Sequence, residues 1–108
     1  MPLRDEIADL LRMPENGAGA PTLDVIESTL TEGYAAKLAL EAERSRIERR
    51  LNEVARDAGE VSAHSVVAEL ADLSKRLDTT DEELARLRSL LRKLQSVRRR
   101  RRAALSPC

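Results

Sequence analysis

The second half of the chain carries the clearest hydrophobic pattern. From Val66 onward, apolar residues recur at alternating spacings of four and three positions without a slip. This is the heptad spacing of helices that pair along one narrow seam. The two rows of the predicted seam are Val66, Leu73, Thr80, Leu87 and Leu94, and Leu70, Leu77, Leu84 and Leu91.

Thr80 is the one polar residue in these rows, and two interpretations compete there. Thr80 stands three residues before Glu83, as in a capping box that begins a new helix. However, a loop would not be expected to preserve the heptad phase on both of its sides. We therefore expect one continuous helix over 62–103, with a weak point at Thr80.

The preceding segment predicts another long helix, over 22–58. Thr22 follows a proline and precedes an apolar-periodic stretch, so it is the expected N-cap. The seam of this helix is apolar at both ends, but Lys37 and Arg44 occupy core positions in its middle. Gly59 is placed to end the helix in a left-handed conformation, and Ser62 or Ser65 can cap the next helix.

The N-terminal residues 1–13 predict a short amphipathic helix. Leu3, Ile7, Leu10 and Leu11 share one face, and the Met13-Pro14 step ends the helix. Residues 14–21 contain an Asn-Gly turn signal, a second glycine and two prolines, which is typical of a flexible linker. Residues 104–108 are expected to form a disordered tail.

The predicted fold is therefore all-α: an antiparallel two-helix coiled-coil hairpin preceded by a short tethered amphipathic helix. The arms, 22–58 and 62–103, are joined by a turn too short for any packing but antiparallel. Several apolar residues lie off the seam. Either the N-terminal helix folds back over them, or two hairpins dimerise into a four-helix bundle, which we favour.

Composition agrees with a helical chain and adds an uneven charge distribution. Ala, Glu, Lys, Leu and Arg make up 63 of the 108 residues, and Tyr34 is the only aromatic residue. The net charge is zero, but residues 1–85 carry −9 and residues 86–108 carry +9. Such a split indicates a basic end that meets an acidic partner or another polyanion.

The residues that usually carry catalysis or hold cofactors are scarce. His64 and Cys108 are the only His and Cys, so no zinc site of nitrogen and sulfur ligands is expected within one chain, and the glycines lack a phosphate-loop continuation. We therefore expect no enzyme, no cofactor and no metal. Because no apolar run could span a membrane and no signal region opens the chain, we expect a cytoplasmic protein.

Two features are candidates for function. The first is the arginine run at the end of the second arm, which can bind polyanions without reading sequence, or can pair with Asp24 and Glu27 of the first arm; pairing is the favoured interpretation. The run consists of Arg98, Arg99, Arg100, Arg101 and Arg102.

The second feature is the polar middle of the first arm. Lys37 and Arg44 can fix the register of the seam or extend their side chains to its edge, and this interpretation is favoured. The alternative is a small anionic ligand held between the helices by Arg44.

From these patterns we expect a non-enzymatic protein–protein interaction module, a small bacterial regulator or adaptor that forms a homo-oligomer and binds or sequesters a protein partner. The alternative is a nucleic-acid-associated protein that uses the arginine run without sequence specificity. The predicted partner surface lies off the seam and consists of Tyr34, Leu38, Leu90 and Val97.

Overall fold

The computed structural model describes residues 2–14, 17–57, 59 and 62–105. This part of the chain is all-α, as predicted, with three helices and no strand. They are α1 (Pro2–Arg12), α2 (Leu23–Arg56) and α3 (Ala63–Leu105). None of the described helices is both long and apolar enough to cross a lipid bilayer.

Side-chain caps define where the two long helices begin. The Thr22 hydroxyl accepts a hydrogen bond from the Val25 amide at 3.2 Å, and the Ser62 hydroxyl accepts one from the Ser65 amide at 3.3 Å. Each bond satisfies a backbone donor of the first turn that has no partner within the helix. Thr22 is thus the N-cap that the sequence predicts, and Ser62 is the one of the two candidate serines that caps α3.

The helix ends differ from the expectation in two places. Ala104 and Leu105, expected in a disordered tail, continue α3, because both residues have high helix propensity. Gly59 does not adopt the left-handed conformation; within the described ranges only Gly17 (φ 83°) and Gly19 (φ 89°) have positive φ. Residues 58, 60, 61 and 108, which bear on the predicted turn and on the cysteine, lie outside the described residues.

The chain divides into two compact units. Unit 1 comprises Met1–Lys37 and Arg86–Cys108, and unit 2 comprises Leu38–Ala85. Within each unit α2 and α3 run antiparallel, as in a helical hairpin: Glu27 contacts Arg98 in unit 1, and Arg50 contacts Glu69 in unit 2.

The core of unit 1 contains all three helices. Ile7 of α1 is completely buried, and α2 places a glycine against side chains of the other two helices. A Cβ atom placed on Gly33 would lie 2.4 Å from Leu91 Cδ2 and 3.7 Å from Ile7 Cδ1. The N-terminal helix therefore folds back onto α2 and α3 within unit 1, as in the first of the two alternatives.

The core of unit 2 is formed by α2 and α3 alone, within the residues described there. It is centred on the buried side chains of Ile47, Val54, Val66 and Leu73, against which Leu51, Leu70 and Leu77 pack while remaining half-buried. Thr80 is only 8% exposed, and α3 passes through it without a break. The predicted continuous second arm is confirmed.

Candidate binding surfaces

The arginine run occupies the last turns of α3, where two of its members contact α2. Arg98 Nε lies 3.3 Å from Glu27 Oε1, and an Arg102 guanidinium nitrogen lies 2.9 Å from the same oxygen. Residues four apart share a helix face, so one carboxylate can receive both guanidinium groups. The predicted pairing with the first arm is observed at Glu27. Asp24, the other expected partner, forms no ion pair with any residue in the described ranges.

The environment of Glu27 lowers its pKa. Desolvation raises this pKa, but the hydrogen bonds and positive charges of Arg98 and Arg102 together outweigh that effect and lower it below its ordinary value of 4.5. Glu27 therefore stays ionised near neutral pH. One negative charge opposes two arginines, so this cluster retains a positive excess.

The other side of the run faces solvent. Arg99 and Arg100 are exposed, and an Arg99 guanidinium nitrogen lies 3.2 Å from the Ser96 hydroxyl. The run therefore has one side that is ion-paired to α2 and another side that is exposed to solvent.

A second cationic feature, which we call the α2–α3 groove, lies in unit 1. It has a volume of about 230 Å³ and is lined by two residues of α2 and four of α3. Spacings of three and four positions bring each set onto one helix face. No Asp or Glu belongs to the lining, which consists of Tyr34, Lys37, Arg88, Leu91, Arg92 and Gln95.

One hydrogen bond connects the two walls of this groove. Gln95 Nε2 donates to the Tyr34 hydroxyl oxygen, and Tyr34 is 39% exposed. Tyr34, predicted as part of an apolar partner surface, is therefore a polar element of a positively charged groove. The sequence alone does not place Tyr34 beside Gln95, because that neighbourhood depends on the register of the two helices.

The remaining predicted partner-surface residues lie in three different environments. Leu90 is half-buried and lines a groove of about 470 Å³ beside α1, together with Arg4 and Asp5. Val97 is half-buried in unit 1, whereas Leu38, in unit 2, is 66% exposed. Leu38 is therefore the member of the predicted surface with the largest exposed fraction.

Unit 2 has an apolar surface that includes two incompletely buried residues of the predicted seam, Leu70 and Leu77. Leu51, Leu70 and Leu77 are half-buried, and Val67 is 65% exposed. On α3, Val67, Leu70 and Leu77 lie within about 80° of one another around the helix axis. We call these four residues the open strip.

Arg44, the candidate for holding an anion, is engaged by carboxylates. Its Nε lies 2.5 Å from Asp81 Oδ1, and its guanidinium also contacts Glu48. The hydrogen bond and charge of Asp81 raise the pKa of Arg44, with a further contribution from Glu48. Two carboxylates thus already neutralise this side chain, and its contact with Asp81 connects α2 to α3.

Two more interhelical ion pairs follow the edge of unit 2. Arg50 pairs with Glu69 at 2.6 Å, and Arg76 pairs with Glu43 at 3.2 Å. In the described part of the chain, no three His, Cys, Asp or Glu side chains are grouped as metal ligands. Arg44, Arg50 and Arg76 thus each connect α2 to α3 through a carboxylate within unit 2.

Comparisons with known proteins give no relative from which a role could be transferred. No family model, no curated protein and no solved structure matches the chain.

Proposed function

We propose that the chain is a non-enzymatic protein–protein interaction module, a small bacterial regulator or adaptor of the cytoplasm that binds an amphipathic helix of its partner on unit 2. The observation that carries this proposal is the open strip of Leu51, Val67, Leu70 and Leu77. The mechanism is burial of apolar surface, in the manner of helix-in-groove recognition.

Unit 1 supports the choice of a helix as the bound element. There, α1 supplies a third helix and buries Ile7 completely against α2 and α3. In unit 2 the described residues supply only two helices, and the leucines of the open strip remain half-buried. Completing the burial of one leucine side chain contributes a fraction of the roughly 1.5 to 3 kcal/mol that full burial provides.

The charge of unit 2 favours a basic partner helix. Unit 2 contains 7 Lys and Arg residues and 12 Asp and Glu residues, whereas unit 1 contains 12 and 7. Complementary charge accelerates association and selects among partners of similar hydrophobicity. An amphipathic helix with leucines on one face and lysines or arginines at its borders therefore fits the open strip best.

A peptide titration tests this proposal. The probes are a helical peptide with leucines at i, i+3, i+4 and i+7 flanked by lysines, and the same peptide with glutamates in place of the lysines. We expect the basic peptide to bind the full chain more tightly, and Val67→Gln to weaken its binding about tenfold, which corresponds to roughly 1.4 kcal/mol.

Leu38→Gln is the matched control, because Leu38 and Val67 have nearly equal exposure, 66% and 65%. Leu38 lies about 140° away from Leu51 around α2. Its substitution should change the affinity less than twofold. If Leu38→Gln weakens binding and Val67→Gln does not, the binding surface is not the open strip.

Dimerisation into a four-helix bundle is the competing use of the open strip. Contact between two copies of unit 2 would bring together two surfaces with excess negative charge, so such a dimer should strengthen as salt screens the repulsion. Binding of a basic helix should weaken with salt. Sedimentation of the chain alone at low and high salt therefore tests the dimer, and the peptide titration at the same salt concentrations tests binding of the helix.

Sequence-independent nucleic-acid binding by the arginine run is the second candidate function. It is favoured by the exposure of Arg99 and Arg100 and by the nine Lys and Arg residues, with no acid, from position 86 onward. The run lies within a helix and has no interleaved aromatic residue for base stacking, so the interaction would be with phosphates.

Glu27 provides a sensitive test of this candidate. Glu27→Gln removes the carboxylate shared by Arg98 and Arg102, so it should raise the affinity for a generic DNA duplex and steepen its salt dependence. Glu32→Gln makes the same charge change at an exposed residue of α2 that has no ion pair in the described part of the chain. Equal effects of the two variants, or no binding at low salt, would eliminate this function.

A further inference from the structure

We propose that the α2–α3 groove is a binding site for a diphosphate group, either as the free inorganic anion or as the terminal part of a nucleotide. The groove consists of Tyr34, Lys37, Arg88, Leu91, Arg92 and Gln95. The site is separate from the open strip and from the arginine run, and it depends on neither proposed function.

Two arginines of this groove have no carboxylate partner among the residues that the structure describes. Elsewhere between α2 and α3, arginines meet acids: Arg44 pairs with Asp81, Arg50 with Glu69, and Arg98 with Glu27. Arg88 and Arg92 form no ion pair with any residue that the structure describes. Their spacing of four positions places both guanidinium groups on the same side of α3.

The opposite wall adds charge and a hydrogen-bond donor. Lys37 contributes an ammonium group from α2 to the lining. The Tyr34 hydroxyl oxygen accepts a hydrogen bond from Gln95, so the hydroxyl proton is directed away from Gln95 and can be donated to an anion. Guanidinium groups and a phenol donor match the oxygen-rich surface of a phosphate.

The dimensions of the groove restrict its ligand. At about 230 Å³ it is smaller than the roughly 300 to 1,000 Å³ of sites that enclose a drug-sized molecule. We expect a diphosphate to fit this volume beside the two arginines, and a nucleoside attached to it to extend into solvent. The lining combines three cationic side chains with Leu91 and the Tyr34 ring and contains no Asp or Glu, so its charge selects for an anion.

Isothermal titration of the full chain at low salt tests the proposal, with inorganic diphosphate, inorganic phosphate and ADP as separate probes. We expect saturable binding of diphosphate, at least tenfold tighter than binding of phosphate because two arginines are engaged. The double variant Arg88→Gln/Arg92→Gln should weaken diphosphate binding at least tenfold. Both arginines are exposed, so their loss should leave the helical circular dichroism unchanged.

The matched control is Lys93→Gln/Arg99→Gln, which removes two exposed charges of α3 outside the groove lining. It should weaken diphosphate binding less than twofold. Equal weakening by both double variants would mean that diphosphate responds only to the overall positive charge of α3, and this result would overturn the proposal. The absence of saturable binding would also overturn it. If diphosphate binds as expected, the affinity for ADP identifies the kind of ligand. ADP that binds at least as tightly as diphosphate indicates a nucleotide, and ADP that binds more weakly indicates the free anion.

Discussion

At the scale of single residues, Gly33 in the core of unit 1 has little room for a side chain. A methyl group there would lie 2.4 Å from Leu91 Cδ2, and Leu91 is only 3% exposed. Glycine is unfavourable within a helix by about 1 kcal/mol relative to alanine. Its presence on the seam is therefore explained by the close approach of Leu91.

We predict that the effect of Gly33→Ala changes sign with the side chain at position 91. In the parent chain the added methyl group forces Leu91 to move in a packed core, which typically costs 1 to 3 kcal/mol and outweighs the gain in helix propensity. In a Leu91→Ala background the space is open, so Gly33→Ala should stabilise the chain by about 1 kcal/mol. Chemical denaturation of the four chains of this double-mutant cycle measures both effects.

Glu27 predicts a pH dependence of stability. Its folded pKa lies below its ordinary value of 4.5 because Arg98 and Arg102 outweigh the opposing desolvation. A lowered carboxyl pKa gives stabilisation that is complete above about pH 4.5 and is lost as the pH falls through the folded pKa. Glu27→Gln should therefore lower the melting temperature at pH 7, and the difference from the parent should shrink below pH 4.5.

Glu32→Gln serves as the control for this measurement, because Glu32 is exposed and lies on the same helix. Its melting temperature should follow that of the parent across the whole pH range. A difference between parent and Glu27→Gln that stays constant down to the most acidic pH would show that the Arg98–Glu27–Arg102 cluster does not stabilise the fold.

At the scale of helices, the continuity of α3 makes Thr80 an internal polar residue. It is 8% exposed and occupies a seam row whose other positions are Val66, Leu73, Leu87 and Leu94. We predict that Thr80→Val stabilises the chain by about 0.5 to 1 kcal/mol, because a methyl group replaces a hydroxyl of nearly the same shape. Equilibrium unfolding by urea measures the change.

The neighbouring Thr79 supplies the control. It is exposed, and its hydroxyl donates to the Lys75 carbonyl oxygen at 3.1 Å. Thr79→Val should alter stability by less than about 0.5 kcal/mol, as is usual for surface substitutions. Destabilisation by Thr80→Val would instead indicate that the Thr80 hydroxyl caps a break in solution.

The helices are the part of the fold that sequence predicts well, because local signals specify them. The caps at Thr22 and Ser62 and the proline at position 14 place the boundaries close to the observed Leu23, Ala63 and Arg12. The end of α2 was less predictable. The helix stops at Arg56, and Gly59 does not adopt the left-handed conformation. A helix can end without a left-handed glycine, so the presence of Gly59 does not by itself determine how α2 ends.

The candidate sites were predictable only in part. The pairing of Glu27 with the arginine run follows from an antiparallel register, and it was expected. The α2–α3 groove was not, because it requires knowing that Tyr34 and Lys37 meet Arg88 and Arg92 across two helices. Likewise, amphipathicity predicts that α1 buries Ile7, but it does not specify which surface receives that side chain.

At the scale of the whole molecule, a net charge of zero conceals two units of opposite charge. Unit 1 has five more basic than acidic residues and unit 2 has five more acidic than basic residues. We predict that the purified chain self-associates at low ionic strength near pH 7, through contact between unlike units of different molecules, and disperses at about 0.2 M salt. Light scattering across a salt series measures this.

Lys93→Gln/Arg99→Gln should reduce this low-salt association, because it removes two positive charges from unit 1. Association that is unchanged by salt and by this variant would point to apolar contacts instead. The salt response also separates this behaviour from the four-helix dimer, which should strengthen with screening.

The contact of Ile7 and Leu91 around Gly33 bears on the order in which the chain folds. The surface that receives Ile7 exists only after distant parts of the sequence, in α2 and α3, have come together. Docking of α1 should therefore follow the folding transition state, and Ile7→Ala should accelerate unfolding while leaving the refolding rate nearly unchanged. Release of the N-terminal helix would then be the first event in the loss of structure of unit 1.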